Sequence, residues 1–157
     1  MKINLLTIGK TEEAYLRQGT ELYLKRLRHY TSFEVKELPA IKKTAGMPPE
    51  LVKHKEGEIL LKQLEKTDCI VLLDEKGKEF SSVEFAEFLQ KRMNAGTREM
   101  AFVVGGAWGF GNELRQKANF TISLSRMTFS HQMVRLFFTE QLYRAFTILR
   151  GENYHNE

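Results

Sequence analysis

The sequence predicts an α/β layered fold, with a mostly parallel sheet and helices on both faces. Three observations carry that prediction. Strand-like and helix-like segments alternate five times; residues 69–73 and 100–104 are unbroken apolar runs, as expected of parallel strands covered on both sides; and 157 residues suffice for one sizeable core but not for two ordinary domains. Residues 1–157 are therefore read as a single domain. With 42% hydrophobic and 28% charged residues, neither a disordered tail nor a fibrous repeat fits the composition.

Residues 1–8 read as a first strand, ended by Gly9, and residues 12–30 as a helix with Leu16, Tyr23, Leu27 and Tyr30 at helical spacing. Residues 33–38 alternate as a half-exposed strand at a sheet edge. A loop at 39–49 leads into a helix at 50–64 that buries Val52, Ile59 and Leu60. Residues 70–73 form a buried strand, and Asp74-Glu75-Lys76-Gly77 turns the chain outward. Ser81 and Glu84 have the spacing of a capping box, opening a helix with Phe85, Phe88, Leu89 and Met93 on one face and Asn94-Ala95-Gly96 at its end. A second buried strand at 100–104 runs into Gly105-Gly106-Ala107-Trp108-Gly109-Phe110-Gly111 and a short helix at 112–117. Phe120, Ile122 and Leu124 alternate as a last strand, and a long helix fills 130–149, with Ser130 as its N-cap.

In parallel sheets ligands gather at the C-terminal strand ends, so the loops after residues 73, 104 and 124 should converge on one site. Four glycines in seven residues after a buried strand point to close backbone approach to a ligand. Spacing excludes several chemistries. No Lys-Ser/Thr follows the glycines, and no window has the dinucleotide-binding glycine pattern. His29, His54, His131 and His155 never pair at helical spacing and Cys-x-x-Cys is absent, so no metal is expected. Gly-x-Ser-x-Gly is absent too. The single Cys69 reads as inert core. His131, in the first turn of its helix, should have a lowered pKa. The long helix is apolar around nearly its whole circumference, which calls for a second buried surface, most simply a twofold dimer contact.

No apolar run approaches a membrane span, and the N-terminus is too short and polar for a signal peptide, so a cytoplasmic location is expected. The net charge of +4 is mild, but the first 57 residues hold 11 basic against 7 acidic groups. Lys25, Arg26, Arg28, Lys42, Lys43, Lys53 and Lys55 would offer RNA phosphates a face there.

Leu72-Leu73-Asp74-x-x-Gly77, Val104-Gly105-Gly106-Ala107-Trp108-Gly109, the run from Leu124 to Arg135 and the ending from Leu142-Tyr143-Arg144-Ala145 to Tyr154-His155 resemble the ribosomal RNA large-subunit methyltransferase H family, of the SPOUT class, over the whole chain. The resemblance implies a C-terminal trefoil knot, a homodimer, and methylation of N3 of a pseudouridine in the helix 69 loop of 23S rRNA with S-adenosylmethionine; the assembled 70S ribosome is the expected substrate, and the free large subunit and naked rRNA stay open. Motif by motif it assigns cofactor contacts to Leu73, Gly105, Leu124, Ser125, Arg126, Met127, Thr128 and Phe129, with Gly105 leaving room for the bent cofactor. His131, Tyr154 or His155 would handle the N3 proton, and Arg135 or Arg144 would stabilise the forming charge; residue types alone do not rank them. The tail is expected to close over the target nucleotide. The family often has a basic residue after the tail histidine, where this chain has Asn156. A non-catalytic ribosome-binding or assembly module of the same fold is the competing reading.

Overall fold

The computed structural model describes residues 1–156. Five strands form one wholly parallel sheet: β1 (Lys2–Ile8), β2 (Ser32–Leu38), β3 (Cys69–Glu79), β4 (Glu99–Val104) and β5 (Phe120–Ser123), in the order β2-β1-β4-β3-β5. Helices α1 (Ala14–Leu27), α2 (Pro49–Gln63), α3 (Ser82–Asn94), α4 (Asn112–Lys117) and α5 (Met133–Leu149) connect and cover them. The side-chain period of two divides each central strand between two cores. Ile3, Leu5, Val71, Leu73, Met100, Phe102 and Val104 face Leu27, the α3 aromatics and Phe138, Leu142 and Phe146 of α5. Leu6, Ile8, Ile70, Leu72, Ala101 and Val103 face Leu60, Leu64 and Leu114. Burial on both faces is why these strands read as unbroken apolar runs, and β2, with one exposed side, is an edge strand, as is β5 at the other end of the sheet.

Several boundaries differ from the sequence expectation, for local reasons. Residues 28–30 leave α1 as a turn, so Tyr30 is not helical. Ile59 is half-buried, whereas Glu56 and Gly57 are buried beside Val52 and Leu60. The outward turn at 74–77 is a bulge within β3: Leu73 and Lys78 both pair with Ile122, so the strand resumes as far as Glu79. Gly77 makes this possible, because a Cβ there would sit 2.7 Å from the Thr121 and Ile122 backbone. The long helix begins at Met133, not at 130; Ser130 still caps a preceding turn, its Oγ accepting from the Met133 amide at 3.0 Å.

The capping box, the end of α3 and the burial of Cys69 match the sequence expectation. Ser81 and Glu84 form the reciprocal capping box, at 3.2 and 2.7 Å. Gly96 takes φ +78° past the end of α3. Cys69 is buried, and desolvation pushes its thiol pKa up, consistent with an inert core residue. Among the described residues no helix is long and apolar enough to cross a membrane, and no three His, Cys, Asp or Glu gather to hold a metal ion.

Candidate active site

The C-terminal ends of β3, β4 and β5 meet around a cavity of about 520 Å³. Leu73–Lys76, Val104–Phe110, Leu124, Ser125 and the stretch from Met127 to His131 line it, with Val134 from α5 and Arg115 from α4. Every cofactor residue expected from the resemblance is in this lining except Arg126. That side chain points outward, 86% exposed, with Nε 3.3 Å from Glu79. Both the volume and the composition, apolar walls of Leu73, Val104, Leu124, Phe129 and Val134 beside bare glycine backbone, suit a nucleoside-sized ligand such as S-adenosylmethionine.

The loops are held from behind by their own polar groups. Ser123 Oγ donates to the Ser125 carbonyl at 2.8 Å, and the Met127 amide donates to Ser125 Oγ at 3.0 Å. Thr128 Oγ1 donates to Glu75 at 2.9 Å, tying the third loop to the first. Asp74 accepts from Arg115 at 2.7 Å, tying the first loop to α4. Burial raises the Asp74 pKa, but the Lys76 amide and Arg115 outweigh it, so the carboxylate lies below its usual range. The Asp74–Arg115 and Glu75–Thr128 pairs were not foreseen, since such pairings join residues about 40 to 50 positions apart.

Gly105 has a different reason for being glycine than the one expected. A Cβ there would meet not the cavity but the backbone of Gly109, at 3.2 Å, where the loop folds back on itself through the Gly109 amide and Gly106 carbonyl. A Gly105→Val variant should therefore displace the returning limb and deform the cavity wall. We expect calorimetry to show cofactor affinity reduced at least about tenfold, with stability lowered by about 1–3 kcal/mol.

Of the five expected catalytic residues, only His131 lines this cavity. Burial, then the nearby Arg135 charge, holds its imidazole below the ordinary pKa of 6.5. The direction matches expectation, but the cause is desolvation, not a helix terminus. Arg135 is 1% exposed and points away, into the loop after β1. Arg144, Tyr154 and His155 form a separate cluster beyond it. Tyr154 donates to Glu140 at 3.0 Å and stands 3.4 Å from the Tyr23 hydroxyl; its ring packs on Tyr143 and beneath the Arg144 guanidinium. His155 Nδ1 lies 3.3 Å from Arg144. Burial and these hydrogen bonds push the Tyr154 phenol up, so it stays protonated.

Over residues 1–155 the chain matches the family model described as predicted SPOUT methyltransferase. It is 53% identical over 156 residues to Ribosomal RNA large subunit methyltransferase H of Christiangramia forsetii, covering 99% of each chain. To the protein of the same name from Porphyromonas gingivalis it is 53% identical over 157 residues, covering all of both. A probable methyltransferase from Bordetella pertussis shares the fold, with a TM-score of 0.57 at 12% identity over 92% of this chain and 96% of that one.

Proposed function

The chain belongs to the SPOUT methyltransferase family, and from that premise we propose that it is an S-adenosylmethionine-dependent methyltransferase of large-subunit ribosomal RNA. We assign N3 of a pseudouridine in the helix 69 loop of 23S rRNA as its target. Supporting the enzyme over a non-catalytic module is one observation: the cavity at the strand ends is intact, with its glycine backbone uncovered. Labelled methyl transfer to 70S ribosomes, free large subunits and naked rRNA, followed by nucleoside mapping, tests the reading. Label absent from all three, or on another nucleoside, refutes it.

When bound, the cofactor supplies an electrophilic methyl group on a sulfonium. The chain's part is to hold it against the nucleophile, because displacement is in line and positioning supplies much of the rate. Leu73, Gly105, Leu124, Ser125, Met127, Thr128 and Phe129 would hold it, with Arg126 at the outer rim. His131 is suited to accept the N3 proton, since its lowered pKa keeps it neutral. Tyr154, protonated, is suited to donate a hydrogen bond instead.

His131 makes the pH dependence specific. Protonation is disfavoured in the folded state, so stability is complete above about pH 6.5 and falls as pH drops through the unfolded value. The His131 ring protons should titrate in NMR spectra below the range of a free imidazole, and methylation should hold its rate to the same lower pH.

The tail cluster lies away from the cavity of its own chain. Glu140 and Arg144 lie about 9 and 15 Å along α5 beyond Val134, and none of Arg144, Tyr154 or His155 reaches the lining. A tail from a second copy would complete the active site without rearrangement of this chain, a reading that favours a homodimer. Phe137, 40% exposed and tilted against Phe129 with ring centroids 5.0 Å apart, offers an apolar contact beside the cavity. The strand order also supports the knot: after β4 the chain passes along the α4 face to β5, outside β3, and then crosses to α5 on the opposite face. Lys42, Lys43 and Arg28 are exposed and would meet RNA phosphates; Lys25 and Lys53 are already paired with Glu21 and Glu50, and Arg26 lies over Tyr23 and Tyr143. Work on ribosomal RNA supports the expected cytoplasmic location.

A further inference from the structure

Glu56 is the buried acid that the site as described does not use. It is 8% exposed on α2, and its Oε2 has no hydrogen-bond partner among the described residues. Leaving a buried carboxyl oxygen unpaired is unfavourable, so its position needs a reason. The carboxyl lies against Gly106: a Cβ on that glycine would stand 2.5 and 2.6 Å from its two oxygens. Gly106 also lines the cavity, and Glu56 does not. One thickness of glycine backbone therefore separates a buried acid from the ligand space.

We propose that Glu56 is a positioning residue that supplies a buried counter-charge behind Gly106 for the cationic end of the cofactor, and so distinguishes S-adenosylmethionine from its product. The product lacks the sulfonium and with it one positive charge, so only the cofactor gains from a negative charge behind the wall. The surroundings leave the acid free to respond. On its own helix, Lys53 pairs with Glu50, and His54 lies between Glu58 and Glu113. Across the loop, Arg115 is committed to Asp74, and Glu75 accepts from Thr128. Lys76, also on the cavity wall, forms no ion pair with Glu56 among the described residues, and burial pushes the Glu56 carboxyl up. A cation placed in the cavity favours the ionised form, so binding should release a proton, and affinity for the cofactor should rise with pH through the titration of this group.

The inference rests on the methyltransferase reading and is tested by calorimetry with S-adenosylmethionine and S-adenosylhomocysteine, each in buffers of different ionisation enthalpy. Measured across a pH series from the carboxylate range upward, the wild-type protein should release protons with the first ligand wherever Glu56 titrates, and not with the second. Glu56→Gln, which keeps shape and removes charge, should weaken S-adenosylmethionine about tenfold, leave S-adenosylhomocysteine within about twofold, and abolish the proton release. Equal weakening of both ligands would make Glu56 a mere brace for the loop and overturn the proposal, as would unchanged binding of both. The wild-type buffer series stands even if the variant folds poorly, and absence of proton release there overturns the proposal alone. Binding of neither ligand to the wild-type protein would remove the methyltransferase reading, and this inference with it.

Discussion

Arg135→Ala should unfold the protein, or nearly so, and not yield a folded but inactive enzyme. The guanidinium donates from Nε to the His131 carbonyl at 3.0 Å, from Nη1 to the Gly9 carbonyl and Thr11 Oγ1, each at 3.0 Å, and from Nη2 to the Ile8 carbonyl at 2.9 Å. Glu37, at the end of the edge strand, stands 3.5 Å away and itself accepts from the amide and hydroxyl of Thr11. One side chain thus ties the start of α5 to the ends of β1 and β2, while Gln132 bonds the same loop through Lys10 and Glu12. Removing it takes a donor from the His131, Gly9 and Ile8 carbonyls and leaves Glu37 without its cation, a loss of about 3–5 kcal/mol. Arg135→Lys keeps the charge but not the fork of donors and should recover only part of that. Urea unfolding reads the difference, and an Arg135→Ala protein of unchanged midpoint without activity would restore the residue to catalysis.

Why this residue looked catalytic in the sequence is instructive. A motif shows that an arginine stands beside His131, but not whether it faces the cavity or the sheet, and one turn of helix separates those outcomes. The central strands were legible because burial on both faces leaves unbroken apolar runs, and the three-loop cavity followed from parallel topology. The bulge at Asp74–Gly77 was not, since four polar residues after a strand look the same whether the chain leaves the sheet or loops out and returns. Glu56 was hidden for a similar reason: among the charges of α2 nothing marks the one that turns inward. Gly105 was placed correctly beside the cavity, yet its missing Cβ accommodates Gly109, a contact within the loop that spacing does not reveal.

A chain ending at Glu152 should lose methylation by several orders of magnitude and still bind the cofactor. The cavity holds no residue beyond Val134, so nothing that lines it is removed. The deletion does uncover Tyr143 and frees Glu140 and Arg144, which remain paired with each other at 2.7 Å, so a modest loss of stability is expected. Tyr30 continues to donate to Glu152, at 2.5 Å, and its own phenol, raised to about 12 chiefly by that carboxylate, keeps the end of the shortened chain anchored. What disappears is Tyr154 and His155, an aromatic and an imidazole that lie beyond α5, packed on Glu140, Tyr143 and Arg144 and outside the cavity lining of their own chain. If they act on a partner's cavity, mixing this truncated chain with Gly105→Val should restore activity: one subunit of the mixed dimer contributes an intact cavity and the other an intact tail. Up to half the sites in such a dimer would be complete. If the tail acted within its own chain, each subunit would lack one essential part and the mixture would stay inactive. Methylation of ribosomes by the mixture, against each variant alone, therefore decides whether the site is shared, and wild-type turnover by the truncated chain alone would end the case for a catalytic tail.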